Sequence, residues 1–376
     1  MDIEPSTDSS AVPPLTPPPP EGLASKIFLH DGGLRAGWRL LVYAAFVAAL
    51  GFGGGFVLRQ FVRPSHGVLS PGYLFIQEAF SFIVIFAAAL IMGQIERRPA
   101  GVYGLPLRGA FGRLFWQGCL IGLVEVSALV GLIAVFGGYS FGSLALHGGE
   151  LLRWGLSWAV MFVFVGLFEE FLFRGYIQFT LADMGIWTAA ILFSALFWFL
   201  HMNHRGDGVR FWLGAIWLAL ILGRVRSGSQ AENVKGIGFW PAAILLSLLF
   251  GRVHLSNPGE GWVGAAGVVM IGLVFAFALR RTGNLWLVVG WHACFDFGET
   301  FLYSVPNSGL VFEGHLSNAS LNGKAWLTGG TVGPEGSVFS FLTMGIMAIA
   351  IHFLFPVKKT MNEAGGSGGA PPRQFV

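Results

Sequence analysis

The chain has 376 residues, 54% of them hydrophobic and 11% charged, with a formal net charge of +3. Soluble domains carry roughly 25% charged residues, so this composition, with a mean hydropathy of +0.66, excludes an ordinary water-soluble globule and makes lipid the solvent. The basic residues flank apolar runs, which is a topology signal and not a nucleic-acid footprint, and the two cysteines, Cys119 and Cys294, lie inside apolar stretches and give no disulfide framework or metal site.

Residues 1–27 contain Pro13-Pro14 and Pro17-Pro18-Pro19-Pro20 and lack the apolar core of a secretory signal, so they read as a disordered cytoplasmic tail. Residues 28–356 read as one multi-pass membrane domain, and the Gly-, Ser- and Pro-containing stretch 357–376 as a second disordered tail. A spanning helix needs about 20 apolar residues. Candidates run from Trp38 to Leu58, Tyr73 to Gln94, Leu114 to Phe136, Trp154 to Arg174 and Ile186 to Leu200. Others run from Phe211 to Gly223, Phe239 to Val253, Trp262 to Leu279, Leu285 to Leu302 and Phe339 to Pro356. The predicted fold is therefore all-α and polytopic, with about eight to ten transmembrane helices. The 55 glycines suit close helix packing in lipid.

With an even number of spans, Lys26, Arg35, Arg39, Arg97, Arg98, Arg108, Arg113, Arg280, Arg281, Lys358 and Lys359 share one side. That side is predicted to be cytoplasmic, with both termini there and the loop from Ser304 to Ser337 outside. Arg59 and Arg63 are exceptions. The stretch Ala189 to His201 resembles Ala242 to His254, and both end in F-x-x-x-H. A hairpin inserted over 182–236 would produce this repeat.

The charged residues concentrate at Phe168-Glu169-Glu170-Phe171-Leu172-Phe173-Arg174. Charge at membrane depth is costly and marks function by default. On a helix, Glu170 and Arg174 share a face at i and i+4, the favourable order for an ion pair. Glu169 lies about 100° around the axis. Without that partner, among phenylalanines, it suits a general base. His292 and Asp296 again stand at i and i+4, where a carboxylate can fix an imidazole tautomer or the two can hold a metal; Glu299 continues the stripe. His254 ends an apolar run before Leu255-Ser256-Asn257-Pro258-Gly259, a helix-stop signal. Glu78 and Glu125 are lone carboxylates in spans, and no chemistry is assigned to them. No H-E-x-x-H zinc signature or Gly-Lys-Ser/Thr phosphate loop occurs. Gly138-Tyr139-Ser140-Phe141-Gly142 matches G-x-S-x-G by chance, since it lies in a loop between spans.

E-E-x-x-x-R, then F-x-x-x-H, then H-x-x-x-N/D resembles the pattern of the CAAX protease and bacteriocin-processing family, which includes the type II CAAX prenyl endopeptidases. The residues that carry it are Glu169 to Arg174, Phe250 to His254 and His292 to Asp296, and the likeness covers a core of about 154–304. The resemblance implies an intramembrane endopeptidase of the glutamate type. Glu169 would activate water, with Glu170 and Arg174 in support. His254 would assist, and His292 with the residue four later would stabilise the oxyanion. Two features depart from the pattern. Asp296 stands where the prenyl endopeptidases have Asn, and an ionised Asp only accepts hydrogen bonds; it is either protonated or orients His292. Close spacing to the glutamates favours His201, whereas the Asn-Pro-Gly turn favours His254, so His201 is kept as the alternative.

The expected substrate is a membrane protein or peptide cut near the membrane surface, with the lipid bilayer as surroundings and no nucleic acid. The expected location is a cell membrane, bacterial and inner by the branch the likeness points to. No cofactor is expected, although Glu169, His254, His292 and Asp296 include plausible ligands and a metal stays open. A non-catalytic bacteriocin-immunity or peptide-binding protein is the alternative, with a transporter third.

Overall fold

The helices of this chain are apolar on nearly every face, which only a lipid surround or a helix neighbour satisfies. The computed structural model describes residues 28–30, 33–62, 70–202, 217 and 236–356, with the backbone alone for residues 30, 100 and 197–202. Both expected tails, the run from Phe211 to Gly223 apart from Trp217, and most of the proposed hairpin lie outside the described residues.

A two-residue strand pair, β1 (Leu29–His30) with β2 (Gly33–Leu34), precedes α1 (Ala36–Leu58). Helix α2 (Pro71–Ile95) opens with Ser70 accepting from Tyr73 N–H at 3.4 Å and Pro71 in its first turn, where the missing N–H costs nothing. Then come α3 (Arg113–Val135), the short strand β3 (Tyr139–Ser140), and α4 (Gly148–Arg174), which bends at Gly175 into α5 (Tyr176–Ala182). They are followed by α6 (Ile186–Met202), α7 (Phe239–His254), α8 (Trp262–Thr282) and α9 (Trp286–Phe297). Among the described residues, α1, α2, α3, α8 and the unit Gly148–Ala182 are long and apolar enough to cross a membrane. Shorter apolar helices accompany them, so the chain is an all-α polytopic membrane protein. Phe52, Ile83, Trp116, Leu152, Trp187 and Phe353 stand on outer faces, where lipid is their solvent.

Helix α9 does not run on to Leu302 as one regular span. It ends at Phe297 and continues as one wide π turn, Gly298–Leu302. A Cβ on Gly298 would lie 2.4 Å from the Val126 side chain, so α3 presses on the chain at this change of pitch. From Tyr303 to Ser337 the chain is a packed cap. Its strand β4 (Ser320–Leu321) pairs antiparallel with β3, the four-residue α10 (Ala325–Thr328) follows, and α11 (Val338–Leu354) returns through the bundle.

The interior is organised around α9, in which Leu287, Val288, Val289, Trp291 and Ala293 are buried. Helices α3 and α9 run in the same direction with backbones in contact. A Cβ on Gly118 would lie 1.9 Å from Leu287 O, and one on Gly122 2.2 Å from Trp291 O. From the other side, a Cβ on Gly290 would meet Phe115 O at 2.2 Å. This is the small-residue packing that lets membrane helices meet at van der Waals distance. Helix α4 approaches α9 at Gly166, whose Cβ would lie 2.9 Å from Val289 O. The start of α9 is fixed by Asn284 Oδ1 accepting from Trp286 N–H at 2.8 Å and by Trp286 Nε1 donating to Pro106 O at 3.0 Å. At the same end, Glu96 accepts from Tyr176 OH at 2.6 Å and pairs with Arg98 at 3.2 Å and Arg39 at 3.5 Å.

Candidate active site

The last turn of α4 carries Glu169, Glu170 and Arg174, and the pairing predicted from i,i+4 spacing is present. Arg174 Nη1 donates to both Glu170 oxygens at 3.0 Å, with the side chains 2% and 0% exposed. The guanidinium is also enclosed by aromatic faces, 4.7 Å from the centroid of Phe250 and 5.6 Å from that of Phe275. Gly272 leaves room for it, since a Cβ there would come within 2.8 Å of Arg174 Nη2.

The close contact at Gly166 brings α9 alongside, and His292 projects toward the glutamates. Its Nδ1 lies 2.8 Å from Glu170 Oε1. Glu170 is already paired with Arg174 and therefore acts as acceptor, so Nδ1 carries the proton. Nε2 then faces two other carboxylates, Asp296 Oδ2 at 3.5 Å and Glu169 Oε2 at 3.8 Å. Glu170 on the neighbouring helix, and not Asp296 on its own helix, therefore orients the imidazole. On-helix spacing could not reveal that partner, because it depends on how α4 and α9 pack.

Glu169, His254, His292 and Asp296 line one cavity of about 290 Å³. The Glu169 side chain is 24% exposed, so it is the wet member of the glutamate pair. His254 arrives at the end of α7 with its Nδ1 2.9 Å from Phe250 O, one turn back. That bond turns Nε2 outward from its own helix. The side chain of His201, the alternative, lies outside the described residues. The rest of the wall is apolar, with Met161, Phe162, Ile271 and Phe275 among its members.

Three carboxylates that sequence reasoning left aside also line this cavity, Glu78, Glu125 and Glu335. Glu125 is buried and accepts from Trp291 Nε1 at 2.6 Å. Glu335 belongs to the cap, where it accepts from Ser308 N–H. Burial, with the Asp296 charge second, pushes the Glu335 carboxyl up to about 8. Glu299 continues the His292–Asp296 stripe but is fully buried and is not part of the cavity wall. Among the described residues no three His, Cys, Asp or Glu side chains are grouped so as to hold a metal ion.

Chemically, the arrangement combines a partly hydrated carboxylate, two imidazoles and an apolar pocket. That set can take a proton from water and place N–H donors at an oxygen that becomes negative.

Residues 150–231 and 228–298 match the Rce1-like family, described as type II CAAX prenyl endopeptidase Rce1-like. The first segment contains Phe197 to His201 and the second Phe250 to His254, so each holds one copy of the F-x-x-x-H repeat. Comparison with curated proteins and with solved structures gave no match. The match covers less than half of the chain; with the multi-pass helical fold it supports a likeness to the CAAX protease and bacteriocin-processing family.

Proposed function

We propose that the chain is an intramembrane endopeptidase in which Glu169 activates water. The observation that supports this is one cavity shared by Glu169, His254, His292 and Asp296, which are distant in sequence. Glu169 removes a proton from a water molecule, and the resulting hydroxide attacks the carbonyl carbon of a peptide bond. The electron pair moves to the carbonyl oxygen, to which His292, protonated on both ring nitrogens, donates through Nε2–H, while His254, whose Nδ1–H bonds Phe250 O, offers its Nε2 lone pair to the attacking water. Collapse expels the amine, which takes the proton held by Glu169. Glu170 holds His292 in place and Arg174 holds Glu170. The site needs no resident cofactor in this scheme.

The substrate is a peptide segment at the membrane, bound against the apolar wall. The basic ends of the helices are assigned to the cytoplasm with both termini, in a cell membrane. The catalytic core is assigned to 154–304, and His254, which lines the cavity and precedes the Asn-Pro-Gly turn, is taken as the second histidine, with His201 kept as the alternative.

The test uses the full chain in lipid nanodiscs and two quenched-fluorescent peptides, one ending in a farnesylated CAAX sequence and one unprenylated. Products are identified by mass spectrometry. Glu169→Gln is expected to lower turnover by at least about a hundredfold. Unchanged turnover in that variant would overturn the assignment.

A further inference from the structure

We propose that the substrate reaches Glu169 from the capped end of the bundle, opposite the basic helix ends, so that the protein acts on peptide segments exposed on the extracytoplasmic face. This inference rests on the hydrolase reading above and on the assignment of the basic ends to the cytoplasm. Side-chain and backbone contacts define the two ends. At the basal end, Glu96 joins the end of α2 to the start of α1 through Arg39 and to α5 through Tyr176. Leu285 N–H donates to Gly104 O at 2.8 Å, which adds the start of α9. Arg281 Nη1 donates to Phe355 O at 3.4 Å, and the Arg280 guanidinium lies 5.3 Å from the centroid of Phe239. The ends of α8 and α11 and the start of α7 are therefore basal too. At the other end, Trp158 Nε1 donates to Glu313 O at 3.1 Å and Asn322 N–H to Gly138 O at 2.9 Å. The cap thus covers the first half of α4 and the end of α3.

The cavity runs to the capped end only. Asn257, in the loop between α7 and α8, lines it, as do Asn307, Ser308, Phe312 and Glu335 of the cap. Toward the basal end its wall stops at Glu169, Phe275 and Trp291. Each of these lies more than one helical turn short of the helix ends at Arg174, Thr282 and Trp286. Below them the chain is packed solid. Phe171, Leu279, Leu285 and Leu287 are buried. Tyr176 stacks on Tyr43 with ring centroids 4.5 Å apart and meets Tyr103 edge-on at 4.9 Å. Arg98 lies 4.9 Å over the ring of Phe179. A layer packed in this way leaves no passage for a peptide. The uncharged polar residues of the wall, Asn257, Asn307 and Ser308, also stand at the capped end, where they can bond the amides of an extended segment. A protein tail presented in the cytoplasm meets the packed layer. A segment left outside by an exported or membrane-spanning protein meets the open route.

The test uses intact cells of a bacterial host producing the full chain, inside-out vesicles made from them, and a membrane-impermeant thiol reagent. Arg108→Cys and Lys324→Cys, exposed at opposite ends, report orientation. Glu169→Cys reports the floor of the cavity, and Ile271→Cys reports its wall if the first variant does not accumulate. The unsubstituted chain gives the background from Cys119 and Cys294. Lys324→Cys is expected to react in intact cells and Arg108→Cys in vesicles. Both cavity reporters are expected to follow Lys324→Cys, reacting at least about tenfold faster in intact cells than in vesicles, because thiol reactivity requires access. Cavity reporters that follow Arg108→Cys, react equally in both preparations or react in neither would overturn the proposal. So would Lys324→Cys reacting only in vesicles, since the cap would then face the cytoplasm. The unprenylated peptide is expected to be cut by intact cells, and cutting confined to vesicles would also overturn it. Glu169→Gln cleaving like wild type would instead overturn the hydrolase reading, while the labelling pattern, which needs no catalysis, still decides the route.

Discussion

Trp291 donates its indole N–H to Glu125 across the α3–α9 contact at 2.6 Å, one residue before His292. The bond is buried, so its two ends are not equally replaceable. Glu125→Gln keeps an acceptor and is expected to melt near the wild-type temperature. Glu125→Leu strands the indole N–H and is expected to cost about 1–3 kcal/mol. Thermal unfolding in detergent micelles separates the two outcomes.

Gly118 and Gly122 set the distance between the same two helices. Their missing Cβ atoms would lie 1.9 Å and 2.2 Å from carbonyl oxygens of α9, and backbone cannot give way as a flexible side chain can. Gly118→Ala and Gly122→Ala are each expected to destabilise by about 1–3 kcal/mol and to displace His292, with a loss of hydrolysis larger than the loss of folded protein. Gly131 on the same helix meets nothing within 4 Å. Gly131→Ala is expected to be neutral or mildly stabilising, by up to about 1 kcal/mol. Parallel melting and turnover measurements on the three variants check both halves of this statement.

Arg174 and Glu170 form an ion pair that water does not reach. Removing one partner leaves the other charge buried, which costs about 3–5 kcal/mol. Arg174→Ala is therefore expected to lower the melting temperature sharply. Arg174→Lys keeps the charge but loses the flat contact with Phe250 and Phe275. It is expected to fall between the two, measured by unfolding in nanodiscs.

Glu335 gives a pH dependence of definite sign. Its carboxyl is raised from the usual 4.5 to about 8 in the folded cap. Below pH 4.5 the group is protonated in both folded and unfolded chains, so its stabilising contribution is complete there. As pH rises from there to about 8 the unfolded chain ionises first, and the contribution is lost. The melting temperature is expected to decline over this window, and Glu335→Gln is expected to flatten the decline. An identical slope in the two proteins would show that other groups control it.

The helical, multi-pass architecture was legible because hydropathy and length are properties of single segments. The residues of the candidate site were legible for a related reason, since charge inside an apolar run is conspicuous: Glu169, Glu170, Arg174, His254, His292 and Asp296 all stood out. Their partnerships were less legible. The i,i+4 rule captures Glu170 with Arg174 because both lie on α4. It says nothing of Glu170 with His292, which depends on the approach at Gly166. Glu78 and Glu125 looked like isolated carboxylates because one sequence does not tell which helix face meets a cavity. The stretch from Ser304 to Ser337 read as an outer loop, polar and rich in glycine. Its folding back over the bundle, which brings Asn307 and Glu335 to the cavity, comes from long-range contacts without a local signature. The break after Phe297 was hidden for the same reason, since Val126, against which Gly298 packs there, lies on another helix.

The glycine contacts that press α9 against α3 and α4 also bear on how a substrate is admitted. Three helices whose backbones touch form a block that cannot slide without unzipping. Glu169, His292 and Asp296 ride on that block, so under the proposed function an opening for substrate is expected in the walls that lack such seams. The cap and the α7–α8 hairpin meet through turns and side chains, Gly309 on Pro258, Gly259 on Thr331 and Gly267 near Glu335, without the tight helix-to-helix seam of α3 and α9. Under the proposed function, a peptide is expected to enter where those two part, while the block behind them stays still.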